Sequence, residues 1–138
     1  MYQSLVYRQR VATAAHASAD LREHAGLFSL RAIASTGVPI ETVRAALDAE
    51  IARLQNELAA DDEMERIRTQ IASSFVRSRQ TYNNIAVALV RSTVERNDPG
   101  ALNSDLDRYR AVTAADVRRV ARLYLTPSNR TTIDYLPQ

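Results

Sequence analysis

Few side chains in this sequence are able to do covalent or metal chemistry. There are two histidines, His16 and His24, three glycines and no cysteine. Without cysteine there is no thiol nucleophile, disulfide or cysteine-ligated zinc, and the compartment stays open. Serine, histidine and aspartate are all present, but no G-x-S-x-G elbow or comparable local frame sets them in order. Three glycines cannot write a phosphate-cradling loop or a dinucleotide fingerprint. No catalytic residue, metal ligand or cofactor is therefore assigned to the chain. What remains is recognition through the backbone. The run VATAAHASA, residues 11–19, reads as a strand. If it lies at a sheet edge, Thr13, Ala14 and His16 are its candidate substrate contacts, because edge hydrogen bonds hold extended peptides of varied sequence. The competing reading places this strand inside the sheet, its alanines only allowing helices to pack closely.

Composition narrows the classes of partner. All 18 basic residues are arginine, and 16 acidic residues leave a formal net charge of +2. Nucleic-acid binders concentrate positive charge in a patch or stripe. The densest basic stretch, Arg108, Arg110, Arg118, Arg119 and Arg122, is diluted by Asp105, Asp107 and Asp116, and reads as a solvated helix face. No nucleic-acid partner is expected. No apolar run approaches the roughly 18 residues of a membrane span, so none is expected. The N-terminus lacks the basic-then-apolar order of a signal peptide, so a signal on an exported parent would lie upstream.

The elements that would position these residues follow from periodicity. Residues 1–9 read as the last turns of a helix. After the strand at 11–19, the polar stretch DLREHAG leads to LFSLRAIAS, where Phe28, Leu30, Ala32 and Ala34 share one face at period two. The two strands predict an antiparallel hairpin. Gly37 and Pro39 open a helix with the stripe Val43, Leu47, Ile51, Leu54 and Leu58. Asp62 and Glu65 stand at capping-box spacing before a second stripe of Met64, Ile67, Ile71 and Phe75. A third helix, after Thr81, carries Ile85, Leu89, Val90 and Val94. Residues 97–100, Asn-Asp-Pro-Gly, break the chain. A short helix with Leu102, Leu106 and Tyr109 follows. Thr113 and Asp116 then start a last helix that Pro127 stops. The scattered tyrosines fall mostly on helix stripes, where packing is their default role. The tail NRTTIDYLP predicts a final strand with Ile133 and Tyr135 on one face. The order argues α+β: an antiparallel β-sheet with helices packed on one face. Residues 1–138 read as a single partial domain, since three strands are few for so many amphipathic helices.

The pattern Arg108, Tyr109, Val112, Thr113, Asp116, Val117, Val120, Ala121, Tyr124, Leu125, Pro127, Asn129 and Arg130 resembles the end of an insulinase/pitrilysin-family zinc metallopeptidase domain, a LuxS/MPP-like metallohydrolase fold. LVYRQRVATAAHAS with AGLFSLRA is similar to that family's mid-domain helix-to-strand passage and hairpin. GVPIETVRAALDAEIARL and DDEMERIRTQIASSFVRS resemble its paired helices.

The resemblance implies the latter portion of an inactive domain. The family's zinc motif, H-x-x-E-H, holds two histidine ligands and a general-base glutamate on a helix. Here only DLREH, residues 20–24, echoes its spacing, with Asp20 in place of the first histidine and a turn in place of the helix. It reads as a polar turn with His24 facing solvent. A substrate-holding Arg and Tyr of some partner domains fall, in this alignment, on Val6 and Thr13, which cannot replace them. Tyr7 or Arg8 would serve only with a slipped register. The implied role is a wall of the substrate chamber that helps enclose a peptide or unfolded protein. Zinc is expected in a partner catalytic domain of the same family, in cis or in trans. A periplasmic setting is expected, and the fragment is expected to be capable of homo-oligomerising. The alternative within the family is a structural core-type scaffold subunit. Outside it, the alternative is a freestanding α+β interaction module.

Overall fold

A computed structural model describes residues 1–21 and 25–136. Contacts divide the chain into two compact units, one of residues 1–57 with 120–138 and the other of residues 58–119.

In the first unit a single π-helical turn, Gln3–Arg8, precedes two strands, β1 (Ala12–Leu21) and β2 (Gly26–Ala34). Arg10 joins the turn to β1 in the left-handed region, at φ 56°, while the Val11 amide bonds back to the Leu5 carbonyl at 3.0 Å. β1 and β2 are antiparallel, with Ala15 opposite Ala32 and Ala17 opposite Leu30. A register shift between Ala12 and Ala14 leaves Thr13 as the extra residue of a bulge. That extra residue explains why Ala12 and Ala15, three apart, both face the core. The expected period-two face of β2 is also present, because Leu30, Ala32 and Ala34 are each partly covered. Phe28, further along the same face, is half exposed.

Gly37 takes φ 78° in the turn after β2, a conformation open to glycine at no steric cost. Helix α1 (Ile40–Asn56) follows and lays Ala46 against Leu5, Ala12 and Ala15. These four side chains form one buried cluster, and small residues at three of the four places let helix and sheet approach closely. Residues 120–138 return to α1. Gln55 donates to the Leu125 carbonyl at 2.8 Å, and Arg122 donates to the Gln55 carbonyl. Arg130 pairs with Asp48 and Arg44 with Asp134. As the tail advances its partners step back along α1, so it runs antiparallel to the helix.

In the second unit α2 (Asp61–Arg77), α3 (Tyr82–Arg96) and α4 (Ala101–Arg110) surround Met64, Leu102 and Ser92, all buried. Arg79 sits over the Phe75 ring and donates to the Leu102 carbonyl, while Arg96 pairs with Asp105. α5 (Ala114–Tyr124) begins with the expected box. The Asp116 amide donates to Thr113 Oγ1, and the Thr113 amide donates to the Asp116 carboxylate, both at 3.1 Å.

The α+β assignment with an antiparallel sheet holds, and four expectations are corrected. The tail is not a strand: a 3₁₀ turn spans Pro127–Asn129, residues 130–136 pair with no strand among the described residues, and Ile133 and Tyr135 are exposed. A strand exists only where a neighbour completes its ladder, and the tail's ion pairs turn it toward α1 instead. Asp62 is not a cap, because α2 starts at Asp61 with Ala60 at the N-cap; the acids serve the helix dipole instead. α3 buries Ser92 and half-buries Ile85 and Ala88, leaving Val90 and Val94 largely exposed, so its buried face is rotated from the most apolar one. All six tyrosines are exposed. Tyr2 and Tyr7 make an edge-to-face pair with centroids 5.6 Å apart.

Candidate functional site

β1 pairs with β2 alone among the described residues, so the other side of β1 is an edge. The sequence candidates sit on it in different ways. Thr13 is the exposed bulge residue, its hydroxyl directed at the Ile33 carbonyl at 3.4 Å. Ala14 lies opposite Ile33, and His16 opposite Arg31, on the sheet face turned from the core. Ala14 is half-buried and His16 is exposed. The bulge twists the edge beside Thr13, which limits the straight ladder to the residues after it. Ala12 and Ala15 are the close-packing alanines, and Ala14 and His16 belong to the outer face.

A larger feature, absent from the sequence reading, lies along the opposite edge of the sheet. A groove of about 740 Å³ has residues 27–32 of β2 as one wall and residues 131–134 of the tail as the other. Its floor is one face of α1, where Ile40, Val43, Leu47 and Ile51 recur at three- and four-residue spacing. The Arg44–Asp134 and Arg130–Asp48 pairs lash the tail to that helix. The signal available in the sequence was LFSL, in which adjacent apolar residues, Leu27 and Phe28, fall on opposite faces of one strand.

Nothing among the described residues gathers three or more metal-ligating side chains. His16 faces Arg31 across the ladder, a cationic neighbour unsuited to a metal site. DLREH extends over residues 22–24, which lie outside the described residues. Val6 packs at the border of the Leu5 core and Thr13 occupies the bulge. Tyr7 is exposed and engaged with Tyr2, and Arg8 is exposed in the last turn of the π-helix. The chain's described residues do not fit a zinc site.

A solved structure described as a zinc protease from Bordetella pertussis Tohama I superposes with TM-score 0.83 and 25% identity, over 99% of this chain and 74% of that one. The inactive peptidase domain of a Bordetella parapertussis protein, also described as a zinc protease, matches with TM-score 0.81 and 24% identity, over 94% and 70%. The chain has the fold of the zinc-protease family. The chain also matches the periplasmic protease PqqL from Escherichia coli, with TM-score 0.66 and 16% identity, over 88% of its own length. It spans only 14% of that protein. No family model matches the sequence, and no curated protein does. No helix among the described residues is long and apolar enough to cross a membrane.

Proposed function

We propose that the chain is the non-catalytic, substrate-enclosing domain of an insulinase-type zinc peptidase. It lends one wall to a chamber and leaves bond cleavage to a zinc-bearing domain elsewhere. The observation that carries this is its match, over nearly its whole length, to a domain described as an inactive peptidase domain. The open edge of β1 supports it, because an unpaired strand offers alternating amide donors and carbonyl acceptors to an extended peptide. Ala14 borders that edge without bulk and His16 is exposed beside it, so specificity would come mainly from length and extension rather than from side-chain pockets. The likeness to a periplasmic protease supports a periplasmic setting.

The test is capture of a permanently unfolded protein, reduced and carboxymethylated lactalbumin, by the purified chain. Lysines on edge strands blunt pairing. The Ala14→Lys, His16→Lys double variant should therefore lose capture while keeping its circular dichroism and melting temperature. Equal capture by the double variant would remove β1 from the proposal. Capture by neither protein would remove the enclosing role.

A further inference from the structure

We infer that the exposed face of α3 is a docking surface for a second copy of the chain, met as an antiparallel helix pair. This stands apart from the enclosing role, which concerns the sheet. Asn83, Val87, Val90 and Val94 recur at intervals of four, three and four residues, the a and d spacing of a two-helix seam. The three valines are 59%, 63% and 76% exposed, and Asn83 is exposed too. Ile85 and Ser92, which α3 turns inward, hold the f positions of the same heptads, directly opposite the seam. The stripe is therefore open along its whole length. Valine is a weak helix former, and three of them in a row on a solvent-facing seam gain the helix nothing unless a neighbour covers them.

The occupant follows from symmetry and charge. A two-fold interface brings one surface patch against itself. The intervals along the seam read the same in both directions, so a copy turned end over end sets Val87 against Val90 of the copy, and Val90 against Val87. Asn83 then meets Val94 at each end, where water still reaches the amide. On one flank Ala86 meets Thr93, two small neutral side chains, and on the other Arg91 meets Asn84, an amide rather than a second arginine. Arg91 is bonded to Glu95 at 2.7 Å, so the charge bordering the seam is balanced within each copy. Antiparallel packing also places each helix N-terminus beside the other's C-terminus, the favourable alignment of the two dipoles. The 15 residues of α3 offer a face about 22 Å long and about 10 Å across. A pair of such faces falls below the roughly 1,000 Å² of a lasting interface, so the dimer is reversible and depends on concentration.

The test is sedimentation velocity of the full chain from low to high micromolar concentration, where reversible growth from monomer to dimer is expected. Val90→Asp, which sets an unpaired carboxylate on the seam, should weaken association about tenfold or more. Val90 is exposed in the monomer, so the dilute variant should keep its circular dichroism. Ile133→Asp and the Ala14→Lys, His16→Lys double variant should leave association unchanged. The chain has no cysteine, so introduced ones report the pairing directly. An oxidised equal mixture of the Asn83→Cys and Val94→Cys variants should yield chiefly the mixed disulfide. In the antiparallel pair the two copies of residue 83 stand about 16 Å apart, eleven residues at 1.5 Å each, too far to bridge. A chain that stays monomeric throughout overturns the inference, whatever other partner the face then serves. So does dimerisation that survives Val90→Asp, or that Ile133→Asp abolishes. Disulfides joining residue 83 to residue 83 in place of the mixed product overturn the antiparallel arrangement.

Discussion

Replacing Leu5 by alanine tests how the sheet is held. Leu5 is fully buried at 0% exposure, enclosed by Ala12, Ala15 and Ala46 with Met1, Val6, Val11 and Leu47 at the border. The change deletes three carbons, a transfer loss of about 2.4 kcal/mol at about 0.8 kcal/mol each. The three alanines have no side-chain rotation with which to fill the void. Only the border residues can lean in, so a cavity term of about 1 kcal/mol remains, giving about 3.5 kcal/mol in total. With a urea slope of about 1.5 kcal/mol per molar, the midpoint falls by about 2 M. The assay is urea unfolding followed by far-ultraviolet circular dichroism. Leu58→Ala, half exposed beyond the end of α1, is the control and should cost under about 1 kcal/mol. A Leu5→Ala loss no larger than the control's would refute the assignment of Leu5 as the centre of the first unit's core.

Three further outcomes are expected. Arg10→Gly should stabilise the chain by about 0.5–1 kcal/mol in the same assay, because glycine relieves a left-handed backbone that a side chain resists; destabilisation would show that Arg10 makes compensating contacts. Hydrogen bonds from the Thr113 hydroxyl and then its amide, with Arg119 nearby, hold the Asp116 carboxyl below the ordinary aspartate range. Its contribution is therefore present at neutral pH and lost as pH falls through its lowered pKa. Wild type should outlast Asp116→Asn in urea at pH 7 and lose that margin in strong acid, whereas a margin that persists at pH 2 would contradict it. Val90→Ser with Val94→Ser should change stability by under about 1 kcal/mol, since both face solvent, while Met64→Ala should cost about 2–4 kcal/mol; reversed costs would restore the apolar stripe of α3 to the interior.

Local signals in the sequence carried the fold as far as local physics reaches. The Thr113–Asp116 box, the break at residues 97–100 and the α1 stripe beginning at Val43 each depend on residues within a turn or two of one another. So does the alternation in β2 that places Leu30, Ala32 and Ala34 on one face. The tail was misread because a strand is a relation between two segments: its alternation was visible, its missing neighbour was not. α3 was misread for a kindred reason, since the elements packed on it select the buried face through Ser92 and Ala88. The bulge at Thr13 left no mark in the sequence, although it decides which alanines of β1 turn inward. The groove beside β2 was hidden because it is built from three segments distant in sequence, and only LFSL hinted that β2 had more than one apolar side.

Under the proposed function the chain encloses substrate and leaves hydrolysis to another domain. The direct measurement is metal content by plasma mass spectrometry on the purified chain after zinc loading and dialysis, paired with cleavage of an unstructured peptide. Zinc well below one equivalent and no cleavage above the buffer blank are expected. One zinc per chain, with peptide cleavage that His24→Ala abolishes, would contradict it.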